Sequence, residues 1–140
     1  MIVRGVAVAL TSLFLIRSAA AEPPPCSSPD ISRPTGTNEH RADNYPILSI
    51  VLGEEGTAMV SFVIGADGRT GAPVIDQSSG SLRLDDASKE AVRSWTYSPP
   101  MSAGVPTACV QRVQVNWVIP ESDAFKTLKI ELAKHGFKTK

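Results

Sequence analysis

The chain has 140 residues, with 14 basic and 14 acidic side chains, so it lacks the basic excess expected of a nucleic-acid-binding protein. Its length suits one modest domain around a single core, not two. Two cysteines and two histidines supply neither a spaced metal-ligand set nor a catalytic constellation, and no cofactor is implied.

Residues 1–21 read as a secretory signal: Arg4, an apolar run from Gly5 to Ile16, then Ala19-Ala20-Ala21, with cleavage expected after Ala21. An uncleaved membrane anchor is the competing reading, but the apolar run of about a dozen residues falls short of the roughly 20 that span a bilayer. Loss of this segment removes Arg4 and Arg17 and leaves the mature chain slightly acidic. An exported chain meets an oxidising compartment, where an even cysteine count favours pairing, so a Cys26–Cys109 disulfide is expected. Closing so long a loop is worth roughly 4 kcal/mol in the chain-entropy model. Lipidation of Cys26 is disfavoured, because Pro23, Pro24 and Pro25 stand where a lipoprotein signal needs small and aliphatic residues.

Residues 22–44 hold five of the 11 prolines and almost no apolar residue beyond Ile31, the composition of a linker. In polyproline form it reaches only about 70 Å, and a disulfide at Cys26 folds its start back as a strap.

The domain is expected over 45–120. Tyr45-Pro46 opens a short helix bearing Ile47, Leu48, Val51 and Leu52, stopped by Gly53 and Gly56. Ala58, Val60, Phe62 and Ile64 alternate with Met59, Ser61 and Val63, a half-buried strand with the Phe62 side inward. Gly65-Ala66-Asp67-Gly68 predicts a tight hairpin, returning through Arg69 to Gln77, where Pro73 fits only an edge or a bulge. After Ser78-Ser79-Gly80, Leu84, Ala87, Ala91, Val92 and Trp95 form the apolar stripe of a helix from about Leu84 to Tyr97. Asp85 and Asp86 complement its positive start, and Pro99 and Pro100 end it. Val113, Val115, Trp117 and Ile119 alternate with Arg112, Gln114 and Asn116, a last strand with one wet face.

The tail over 121–140 sets Phe125, Leu128 and Leu132 at helical spacing among Lys126, Lys129, Lys134, Lys138 and Lys140, with Gly136 as a stop. A docked or frayed helix with a solvated basic face is favoured over contact with an anionic membrane.

Tyr45-Pro46, Gly53, Gly56, the strand through Phe62, Asp67-Gly68-Arg69, Ser78-Ser79-Gly80, Leu84-Asp85, Ala91-Val92, Trp95, Pro99, Gly104 and Pro106 together resemble the C-terminal domain of TonB. The resemblance implies an α+β fold, a small three-stranded antiparallel sheet packed against two helices. It also implies capture of an extended segment of an outer-membrane transporter, which adds beside the last strand. Carried onto this chain, the receiving edge runs from Val110 to Ile119. Gln111, Arg112, Val113, Gln114, Val115, Asn116 and Trp117 are the expected partner-binding residues, against the alternative that the polar ones are ordinary solvated positions.

A full energy transducer of that family has an uncleaved membrane helix and a long Pro-rich spacer. The reading of residues 1–44 given above provides neither, so the expectation is a free periplasmic domain that binds a transporter or another envelope protein without pulling on it. Self-association through the same edge, giving a dimer, is the alternative role.

No enzyme is expected. His40 and His135 fall in the linker and the tail, off the rigid scaffold where a general base is held. Ser79 lacks the glycine pattern of a nucleophile elbow. Asp85 and Asp86 point about 100° apart on a helix, and Cys109 is reserved for the disulfide.

Overall fold

The computed structural model describes residues 21–37 and 42–136. The signal segment up to Ala20, His40, and Lys138 and Lys140 of the tail lie outside the described residues.

The alternation of Ala58, Val60, Phe62 and Ile64 produces a strand, β2 (Gly56–Ile64), whose four apolar side chains are all buried while Met59, Ser61 and Val63 are half-buried. β2 is the centre of an antiparallel sheet, flanked by β3 (Val74–Gln77) on one side and β6 (Cys109–Trp117) on the other. Its pairing with β6 is unbroken from Gly56 opposite Trp117 to Ile64 opposite Cys109. The pairing with β3 is shorter and shifts register between Met59 and Val60. Pro73 stands immediately before the edge strand β3, where its missing N–H interrupts no ladder.

The helices cover one face. α1 (Ile47–Leu52) follows Pro46 and ends at Gly53, which adopts the left-handed conformation with φ 65°. α2 (Leu82–Arg93) buries Leu84, Ser88 and Val92 over the sheet. It stops short of the expected Tyr97 because Thr96 and Tyr97 find other partners. Tyr97 N–H donates to Gly68 O at 2.9 Å, and Thr96 O accepts from Thr37 N–H at 2.9 Å. Trp95 and Tyr97 nevertheless reach the core, and Tyr97 packs on Phe62 with ring centroids 5.9 Å apart.

A second, smaller sheet has no counterpart in the sequence reading: β1 (Ile31–Ser32), β4 (Met101–Ser102) and β5 (Val105–Pro106), in the order β1-β4-β5. Two-residue strands carry too little pattern to be read from composition. Through this sheet the Pro-rich segment joins the core: Ile31 and Cys26 are buried, and Cys26 forms a disulfide with Cys109. α3 (Asp123–Lys134) follows Ser122, whose Oγ accepts from Phe125 N–H, and ends before Gly136 at φ 84°. It lies against α1 and buries no residue fully.

Candidate functional site

β6 has one side paired along its whole length with β2 and the other at the margin of the sheet. In an antiparallel pair, every second residue turns both its N–H and its C=O away from the neighbouring strand. Val110 fixes the phase, because its N–H and C=O both bond on the outer side. Arg112, Gln114 and Asn116 share that phase, so their backbone groups point outward from the sheet. Among the described residues no backbone segment bonds to these three.

The side chains alternate on the other axis. Val115 and Trp117 are buried toward the helices and Val113 packs against the core, whereas Arg112, Gln114 and Asn116 are exposed on the opposite face. Gln111 departs from the expectation that grouped it with these polar residues. By its position in the strand it belongs to the helix side with Cys109 and Val113, and its Nε2 donates back to Arg112 O at 3.3 Å.

Two of the exposed side chains are committed across the sheet. Arg112 Nε lies 2.6 Å from Asp76 Oδ2, and Asp76 Oδ1 accepts from Ser61 Oγ at 2.8 Å, a polar row across β6, β2 and β3. Asn116 Oδ1 accepts from Thr57 Oγ1 at 2.9 Å. Thr57 and Asn116 are directly opposite in register, the cross-strand arrangement that stabilises a sheet, whereas Arg112 reaches past its opposite residue Ser61 to Asp76 on β3. Gln114, opposite Met59, is the exposed side chain at the middle of the edge.

The edge is held rigidly from behind. Trp117 Nε1–H donates to Ser88 Oγ at 2.8 Å, and Ser88 Oγ donates in turn to Leu84 O at 2.7 Å, a fully buried chain tying β6 to α2. Tyr45 meets the Trp117 ring edge-on at 5.1 Å. Ser88 carried no signal in the sequence, since its neighbours Ala87 and Ala91 define the apolar stripe without it.

The remaining charged clusters are structural. Just after α1, the Arg83 guanidinium lowers the pKa of the Glu54 carboxyl to about 2, with Ser49 and Ser81 adding to the effect. Ser49 Oγ itself is buried near that carboxylate without a hydrogen bond of good geometry among the described residues. Asp85 is opposed by its own burial, but hydrogen bonds from Ser78 Oγ, Ser79 N–H and Ser79 Oγ outweigh it and hold its carboxyl below the usual range. The Ser78-Ser79-Gly80 turn is therefore laced onto the helix by Asp85. Asp86, the other expected helix-start carboxylate, pairs with Lys89 at 2.6 Å instead. Among the described residues no three metal-ligating side chains gather, and His135 is exposed at the end of α3.

The family model for the Gram-negative bacterial TonB protein C-terminal matches residues 41–119. The TonB protein of Vibrio cholerae serotype O1 is 31% identical over 78 residues, 56% of this chain and 32% of that protein. The chain thus spans about a third of the length of that curated relative. The solution NMR structure of the Pseudomonas aeruginosa TonB CTD has the same fold, with a TM-score of 0.54 at 24% identity over 73% of this chain and 99% of that one. With more than half of its length matched, the chain belongs to the family of the C-terminal domains of Gram-negative bacterial TonB proteins, protein-interacting domains and not enzymes.

Proposed function

We propose that this chain is a periplasmic TonB-like module that captures an extended segment of an outer-membrane transporter, or of another envelope protein, by strand addition along the outer edge of β6. In this reading residues 1–21 direct export and are removed, and 45–120 form the binding module. The single observation behind it is the row of outward backbone groups at Arg112, Gln114 and Asn116, which no described segment occupies, on a strand fully paired on its other side. Such a row is a ready template for another chain: main-chain bonds supply affinity, and neighbouring side chains supply selectivity. Gln114, exposed at mid-edge, is placed to touch a guest side chain, whereas Arg112 and Asn116 act mainly by ordering the strand.

The test is an amide NMR titration of the oxidised domain with extended peptides from the N-terminal segments of outer-membrane transporters. Saturable shifts concentrated from Arg112 to Trp117 are expected, with the protein remaining monomeric by sedimentation. Absence of shifts there at millimolar peptide overturns the reading. A size that doubles with concentration, with the same shifts and no peptide present, transfers the edge to self-association.

A further inference from the structure

The outer side of β6 is not open along its whole length. The segment Pro24–Cys26 runs parallel to it at one point, where Val110 N–H donates to Pro24 O at 2.8 Å and Val110 O accepts from Cys26 N–H at 2.8 Å. These are the bonds a guest strand would make with Val110, already made from within the chain. The segment then leaves the edge abruptly. Ser28 N–H donates to Pro25 O at 2.9 Å, Ile31 N–H donates to Ser28 O at 3.0 Å, and Ile31 enters the core and pairs with Ser102 of β4.

Two anchors keep the strap in place: the disulfide from Cys26 to Cys109, next to Val110 in sequence, and the buried side chain of Ile31. Where the strap turns away, Pro25, Ser27, Arg33, Val110, Gln111 and Arg112 line an open cleft of about 430 Å³. That cleft lies immediately before Arg112, the first outward residue to which no described backbone segment bonds. A strand laid along Asn116, Gln114 and Arg112 therefore meets Pro25 and Ser27 on reaching Val110.

We infer that the disulfide-pinned strap is a built-in stop that fixes the length and end point of the strand this edge accepts. A guest pairs with Arg112, Gln114 and Asn116 and must end, or turn away through the cleft, at Val110. At about 3.3 Å per residue the stretch from Arg112 to Asn116, which no described segment pairs with on its outer side, takes a strand of roughly five residues. The inference rests on the strand-addition reading and adds to it a limit that open-edge geometry alone does not supply.

The experiment compares nested peptides of about five, seven and nine residues, extended in turn at either end of one transporter segment, by titration calorimetry. Three proteins are used: the oxidised mature chain, the same chain lacking Glu22–Pro25, and the double variant Cys26→Ser with Cys109→Ser. The shortened chain keeps the disulfide and removes the Pro24 acceptor, which frees the Val110 N–H while Cys26 N–H still holds Val110 O, so it reads the bond the strap takes at the Val110 N–H even where the cysteine variant fails to fold.

In the oxidised chain affinity is expected to level off once the peptide covers Arg112 to Asn116. In the shortened chain, extension at the end that reaches Val110 is expected to tighten binding by about fivefold for the hydrogen bond gained at the Val110 N–H. The Val110 amide, protected from exchange in the oxidised chain, exchanges rapidly in the shortened one until peptide is added. A plateau that persists in the shortened chain, or affinity that climbs with length in the oxidised one, overturns the stop while leaving strand addition intact. Binding by none of the three proteins overturns strand addition and the stop together.

Discussion

At the residue scale, the motifs that carried the resemblance have local physical causes. Gly68 sits at φ 81°, and a Cβ there would fall 2.0 Å from Tyr97 O. Gly80 shares a positive φ of 94° but faces open space. Gly68→Ala should therefore cost about 2–5 kcal/mol, strain and overpacking combined, and Gly80→Ala only about 1–2 kcal/mol, as read by urea denaturation. Asp85 offers a second test. Its carboxyl is lowered in the folded state by the Ser78 and Ser79 donors against its own burial. A group whose folded pKa is depressed stabilises above its unfolded pKa and loses that contribution as pH falls through the folded value, so the loss appears below about pH 4. Asp85→Ala should destabilise by about 1–3 kcal/mol at pH 7 by stranding those donors, and Asp85→Asn should flatten the acid limb of the stability profile. The glycine and Ser-Ser-Gly signals were legible because each reports a backbone constraint. The partner of Asp85 was not, because a carboxylate in a first helical turn looks the same whether it serves the helix dipole or a preceding turn.

At the element scale, the period-two runs gave β2 and β6, since alternation survives any tertiary context that covers one face. What alternation cannot give is the phase of the backbone. Gln111 was grouped with the polar residues by type, although strand parity puts it on the helix side. The clue was present: Cys109, two residues earlier, had to point inward for its disulfide. The same parity makes a prediction. Gln114→Pro removes an N–H that faces outward and leaves the β2 ladder intact, so the fold should persist while peptide affinity falls about fivefold or more. Val115→Pro removes an inward N–H from the ladder and should unfold the domain, visible as loss of the near-ultraviolet signal of Trp117. The short strands β1, β4 and β5 stayed hidden because two residues hold no periodicity.

At the scale of the whole molecule, the disulfide links positions 83 apart in sequence and converts a Pro-rich stretch with linker composition into part of the sheet. Pairing of Cys26 with Cys109 implied a strap folded back onto the domain, but not the parallel bridge of Pro25 to Val110 on the outer side of β6, because a disulfide fixes proximity and not which backbone groups bond. Reducing the disulfide should lower stability by roughly 4 kcal/mol in the chain-entropy view, measured as a shift in the denaturant midpoint with and without a thiol reductant. The fold, the edge and the strap then converge on one claim, that a guest strand bonds to alternate residues of β6. Amide hydrogen exchange on the oxidised domain, with and without a saturating transporter peptide, tests it most directly. The amides of Arg112, Gln114 and Asn116 are expected to exchange fast in the unbound protein and to slow together on binding, while those of Gln111, Val113 and Val115, already bonded to β2, do not change. Protection that appears on other residues, or that spreads over β6 without this alternation, would contradict it.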